Sequence, residues 1–196
     1  TTFNAAGGVN GTEVTFAAGT TSLLVRIDTT DDNIDETLNS PEDYTLTVGS
    51  VVSGSVGNTA DTGLGQITDN DDAPDVTIDD ASAVTEGTAS VFAVNLSRAS
   101  DQAITLDLQT VSGTALDGVD YENQNFEVST DGGTTFNAAG GPNGTQVTFA
   151  AGTTSLLVRI DTTDDNIDEV ANSPEDYTLT VGSVVSGSVG NTADTG

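Results

Sequence analysis

Residues 155–169 read SLLVRIDTTDDNIDE, and residues 22–36 read the same. The first six residues alternate. Leu156, Val158 and Ile160 fall on one side of an extended chain, while Ser155 and Arg159 fall on the other. A period of two is the mark of a half-buried β-strand. The strand runs straight into a loop dense in carboxylates: Asp161, Asp164, Asp165, Asp168 and Glu169. Working outward, the recurrence widens to residues 1–63 and 134–196, a period of 133 residues. Only four positions differ between the copies: Val9/Pro142, Glu13/Gln146, Thr37/Val170 and Leu38/Ala171. The block 64–133 occurs once, so the order is back half, front half, back half. A period of this length is too long for a solenoid unit and fits one independent domain. Such near-identity predicts an array of similar modules. The chain opens on Thr and shows no leader or long apolar run, so the reading expects a piece of something longer.

Composition removes several classes of function. The chain has 31 Asp and Glu against 3 Arg, with no Lys, His, Cys, Met or Trp, and a formal net charge of −28. Nucleic-acid phosphates and anionic membrane surfaces both demand basic residues. Thiol chemistry, disulfides, N/S-type zinc sites, Ser-His-Asp triads and Lys Schiff bases have no residues to use. So large a charge favours disorder. Against that stand abundant Thr and Val, β-branched residues that suit a pleated sheet. The composition reads as an all-β protein with more negative charge than it tolerates unaided.

Further alternating segments are Ser90–Leu96, Ile104–Leu108 and Asp176–Val181, with shorter ones at Val76–Ile78, Val147–Phe149 and Leu64–Thr68. Phe126–Phe136 predicts a hairpin turning at Asp131-Gly132-Gly133. Seven or so short strands per repeat predict an antiparallel Greek-key β-sandwich of immunoglobulin-like type. GQITDNDDAP (65–74) reads as a last strand, a linker and a new start. The expected domains are 1–72, the C-terminal half of one repeat with its linker, and 73–196, a nearly complete repeat without its last strand.

The acids cluster. Besides the long loop and its copy (Asp28, Asp31, Asp32, Asp35 and Glu36), there are Asp117, Asp120 and Glu122, then Asp69, Asp71 and Asp72, and the lone Glu86. Alternate loops of a sandwich fall at one end, so Glu86, Asp117, Asp120, Asp164–Glu169 and a set of linker acids are expected to meet there. Crowded carboxylates repel unless neutralised. Oxygen-only donors at flexible geometry favour Ca2+ over Mg2+. A solvated acidic surface is the competing reading, and clustering favours the cation. No EF-hand pattern is present. The arginines Arg26, Arg98 and Arg159 are expected to pair with nearby acids.

The ordered set TEG (85–87), GVDY (118–121), FAAGTT (149–154), DDNIDE (164–169) and TDND (68–71) resembles a Calx-beta domain. This is the Ca2+-binding sandwich of sodium–calcium exchangers and of long bacterial surface adhesins, including RTX-type repeat proteins. The resemblance spans the whole repeat. It implies calcium ligands at Glu86, Asp120, Asp164, Asp165 and Glu169, with Asp161 and Asp168 close by, and at Asp69, Asp71 and Asp72. Two departures stand out. An extra hairpin occupies 123–143, and neither copy carries a full ligand set.

The resulting expectation is a non-enzymatic spacer repeat of a secreted or cell-surface bacterial adhesin of the kind found in biofilms, stiffened by Ca2+ at domain ends and junctions. The partners expected are neighbouring repeats of the same chain, or a second copy through strand exchange or a domain swap by the incomplete half. The alternatives are a glycan- or protein-binding module and a filament subunit.

Overall fold

The computed structural model describes residues 2–36, 40–166 and 173–196. It divides into two compact units, Thr1–Asp32 and Asn33–Gly196, each taken by itself. Among the described residues there is no helix, and so none long and apolar enough to cross a membrane.

The larger unit carries twelve strands among the described residues. They are β1 (Ile34–Asp35), β2 (Glu42–Thr47), β3 (Thr62–Ile67), β4 (Val76–Asp79), β5 (Ser90–Leu96), β6 (Ala99–Ser100), β7 (Ile104–Ser112), β8 (Glu127–Ser129), β9 (Asn137–Ala138), β10 (Gln146–Phe149), β11 (Ser155–Ile160) and β12 (Tyr177–Ser186). One antiparallel sheet runs β4-β5-β11-β8-β9 and another runs β10-β7-β12. From β7 on the chain crosses between these layers: β7 in the second, β8 and β9 in the first, β10 in the second, β11 in the first and β12 in the second. Their inward residues form one core. Phe92, Val94 and Leu96 of β5 and Leu156, Val158 and Ile160 of β11 meet Ile104, Leu106 and Leu108 of β7, with Phe149 of β10 and Leu179 of β12. The alternation in β5, buried at every second residue, is what the sequence pattern demands of a two-layer sandwich.

The extra hairpin is sheet, not insertion. β8 pairs with β11 and β9 extends the edge. Arg159 on β11 bonds the Glu127 carboxylate and lies over the Phe136 ring at 4.5 Å. The turn is wider than the expected Asp131-Gly132-Gly133. Asp131 folds it by accepting from the Thr135 amide (2.9 Å) and the Thr135 and Ser129 hydroxyls (both 2.7 Å).

The repeat shows in the register. In the hairpin β2–β3, Thr47 faces Thr62 and Leu46 faces Gly63. One period on, Thr180 bridges Thr195, and Leu179 and Gly196 exchange backbone hydrogen bonds of 2.8 and 3.2 Å. The same pairing forms twice.

The unit Thr1–Asp32 departs from its copy. Val14–Phe16 and Ser22–Ile27 repeat most of β10 and all of β11, yet form no strand. Their local features survive. Gly7 bridges Glu13 as Gly140 bridges Gln146, and Arg26 lies over Phe3 as Arg159 lies over Phe136. Turns depend on nearby residues and form; sheets need a partner strand from elsewhere in the chain.

Candidate metal centre

One end of the sandwich holds a cleft of about 780 Å3. Three connections enter it and bring four carboxylates. Glu86 comes from the β4–β5 turn, Asp120 from the β7–β8 connection, and Asp164 and Glu175 from the start and end of the β11–β12 connection. Aromatic rings pack behind them. Tyr177 stacks on Tyr121 at 4.1 Å and meets Phe92 edge-on at 5.8 Å. Tyr121 is itself buried and shares a hydrogen bond of 3.0 Å with Ser112. Burial pushes the Tyr177 phenol above its ordinary pKa; the Ser90 hydroxyl pulls it down and the Tyr121 phenol adds to the rise.

The turn that carries Glu86 is closed by a Thr88 amide to Thr85 carbonyl bond of 3.0 Å. Gly87 sits there at φ +73°, and a Cβ on it would stand 2.8 Å from the Asp164 Cβ. Both its backbone conformation and the closeness of the Asp164 loop therefore call for glycine. Asp120 is oriented by the Leu116 amide, which donates to its Oδ2 at 2.6 Å.

Two adjacent acids behave oppositely. Partial loss of water raises the Glu175 pKa; the charge of Asp120 and a hydrogen bond shared with it, then the charges of Glu86 and Asp176, raise it further. Asp176 is held below the carboxylate range, chiefly by the Thr114 hydroxyl at 2.6 Å and the Thr114 amide at 3.1 Å. Asp176 is thus a structural brace whose charge is satisfied. Glu175 sits in a negative field that a proton or a cation would relieve.

The sequence expectations divide as follows. Glu86, Asp120 and Asp164 line the cleft together. Asp117 does not join them, because its carboxylate caps the next turn, accepting from the Asn123 amide (3.2 Å) and side chain (2.6 Å). Asp161 is exposed, and its carbonyl receives the Glu122 amide at 3.1 Å. Asp165 is half-buried beside the cleft loop. Asp168 and Glu169 lie outside the described residues. Glu175 went unforeseen. It belongs to SPEDY, read only as the entry to a strand, and its repetition as Glu42 is no signal in a chain where nearly everything repeats.

The first-copy acids are split between the two units. Asp28 pairs with Arg26 at 3.0 Å on an exposed surface, with Asp31 and Asp32 nearby in sequence. Asp35 and Glu36 belong to the larger unit and gather with the linker. The Glu36 amide donates to Asp69 Oδ2 at 2.8 Å, the Asp71 amide donates to Asp69 Oδ1 at 3.0 Å, and Arg98 pairs with Asp71 at 3.2 Å. Asp72 is exposed.

Among the described residues no three acids stand in the arrangement of a metal centre. The donor set is nonetheless oxygen-only and hard, and after desolvation the charges of Asp120, Glu86 and Asp176 add to the upward push on Glu175.

The model of the Calx-beta domain matches residues 7–65, 69–140 and 127–194, most of the chain. No curated protein and no solved structure matches.

Proposed function

From the premise that the chain belongs to the Calx-beta domain family, a non-catalytic β-sandwich family associated with calcium, we propose that it is a calcium-binding spacer repeat. Its place would be the extracellular part of a bacterial surface adhesin. The observation that carries the reading is the convergence of Glu86, Asp120, Asp164 and Glu175 on one cleft, with Glu175 pushed toward protonation first by partial loss of water and then by its acidic neighbours. These four would hold the ion through carboxylate oxygens, with the half-buried Asp165 next to Asp164 on the chain. The linker acids Asp69–Asp72, with Asp35 and Glu36, form a second acidic group where one repeat meets the next. Neutralising both would remove repulsion at the domain end and at the junction, stiffening a string of modules into a rod.

The test is small-angle scattering of a multi-repeat piece in calcium and then in chelator. Calcium should lengthen the maximum dimension and narrow its distribution. An unchanged dimension, together with a melting temperature indifferent to chelator at low salt, would refute the reading in favour of a merely acidic surface.

A second reading, self-association by strand exchange, rests on Thr1–Asp32. Val14, Phe16, Val25 and Ile27 are exposed there, while their copies Val147, Phe149, Val158 and Ile160 are wholly buried in the sandwich. A β4–β7 segment from a neighbouring copy has the matching apolar face.

A further inference from the structure

The link between the two repeats, Asp69–Asp75, has the composition of a flexible tether: acids, Asn and a Pro. Its contacts are not those of a tether. At its start the Asp69 carboxylate takes the Glu36 and Asp71 amides, and the Asp69 amide donates to the Ser40 hydroxyl at 2.8 Å. At its end the Asp75 amide donates to the Ser97 hydroxyl, and the Ser97 amide to the Asp75 carbonyl, both at 2.9 Å. Between them Asp71 pairs with Arg98.

The first-copy loop reaches the same turn. β1 pairs in parallel with β6, with Ile34 opposite Ala99 and Asp35 opposite Ser100. The Asp101 amide donates to the Asp35 carbonyl at 3.0 Å, and the Ser100 hydroxyl donates to that carbonyl at 3.3 Å. Asp35 is 1 % exposed and Ser100 3 %. The Ser100 carbonyl is anchored within the second repeat by the Gly152 amide at 2.9 Å. So one short turn, Ser97–Asp101, receives both the long loop and the linker of the repeat before it. Arg98 is one of only three cations in the chain, set against 31 acids, and it is committed across this junction.

We propose that Ser97–Asp101 is a docking edge for the preceding repeat, fixing the angle between successive repeats by strand addition to Ile34–Asp35 and by the Arg98–Asp71 pair. The partner is a copy of the same repeat, recognised through backbone hydrogen bonds and one charge pair. The latch acts beside any bound cation, and its test separates the two. Hydrogen exchange of the Asp101 and Glu36 amides, which donate to the preceding repeat's loop and to the linker, is followed on the whole chain with and without calcium. In calcium both amides should be protected. Arg98→Gln should speed their exchange by up to about fivefold, the range of a partly exposed ion pair. Arg98→Asp should speed it more, and Arg98→Asp with Asp71→Arg should restore protection. Far-ultraviolet circular dichroism would show that the sandwich is intact in each variant. Amides that exchange at unstructured rates in the native chain, or that ignore Arg98→Asp, overturn the latch. Insensitivity to chelator alone counts against the calcium reading and leaves the latch standing.

Discussion

Nearly identical sequence in two surroundings permits a controlled comparison. Ile160 is 1 % exposed in the core, while its copy Ile27 is 46 % exposed; Phe149 is 0 % exposed and Phe16 55 %. Ile160→Val deletes one methyl from a close-packed interior and should cost about 0.5–1.5 kcal/mol; Phe149→Ala should cost about 3–5 kcal/mol, transfer and cavity together. The twin substitutions Ile27→Val and Phe16→Ala create no cavity and should stay within about 0.5 kcal/mol. Urea unfolding followed by tyrosine emission reads the sandwich, since the chain has no Trp and two of its three tyrosines, Tyr121 and Tyr177, stack in the core. With a slope of about 2 kcal/mol per molar, Phe149→Ala should move the midpoint by roughly 2 M and Phe16→Ala by less than about 0.3 M. A shift for Phe16→Ala as large as for Phe149→Ala in dilute protein would refute the reasoning. It would mean that Phe16 is packed in a core. A shift that grows with protein concentration would locate that core in a second molecule.

Two predictions concern titration. Glu175 has a raised pKa, so the fold favours its protonated form; that contribution is whole below the unfolded value of 4.5 and is lost as pH rises through the raised value. Glu175→Gln should therefore raise the melting temperature in chelator at pH 7 and shrink the further rise produced by calcium, both read by thermal scans. Asp131 runs the other way, lowered from 3.8 to about 2 by the Thr135 amide and the Thr135 and Ser129 hydroxyls. Its contribution is present above pH 3.8 and lost as pH falls toward 2, so Asp131→Ala should lower the melting temperature at pH 5 and flatten its decline between pH 4 and pH 2.

The sandwich was legible because β5, β11 and the first five residues of β7 alternate, and a two-sided layer leaves that pattern little choice of fold. The convergence of Glu86, Asp120 and Asp164 followed from topology, since alternate loops share an end. What stayed hidden depended on side-chain partners. Asp117 has the spacing of its neighbour Asp120, but its oxygens go to Asn123; only the folded turn shows that. Glu175 and Asp176 are adjacent carboxylates, and nothing in their order says which one Thr114 will take. The first-copy strands were unreadable for a deeper reason. Val14–Phe16 and Ser22–Ile27 carry the strand pattern in full, yet a strand is a pairing and not a property of the segment that bears the pattern.

The charge of −28 then resolves into groups handled by different physics. Asp117 and Asp131 are satisfied by amide and hydroxyl donors of their own turns, and Asp176 by the amide and hydroxyl of the distant Thr114. Asp28, Asp71 and Glu127 take the three arginines. No basic side chain remains for the cleft, because the chain contains no other. Repulsion among Glu86, Asp120, Asp164 and Glu175 can be lowered only by a proton, by screening salt or by a cation from solution. Of these, a multivalent ion is the one that the proposed calcium reading calls on, since it alone could offset several carboxylates at once at neutral pH. Composition thus sets the condition that topology localises: three arginines, committed elsewhere, leave one end of the sandwich dependent on its medium.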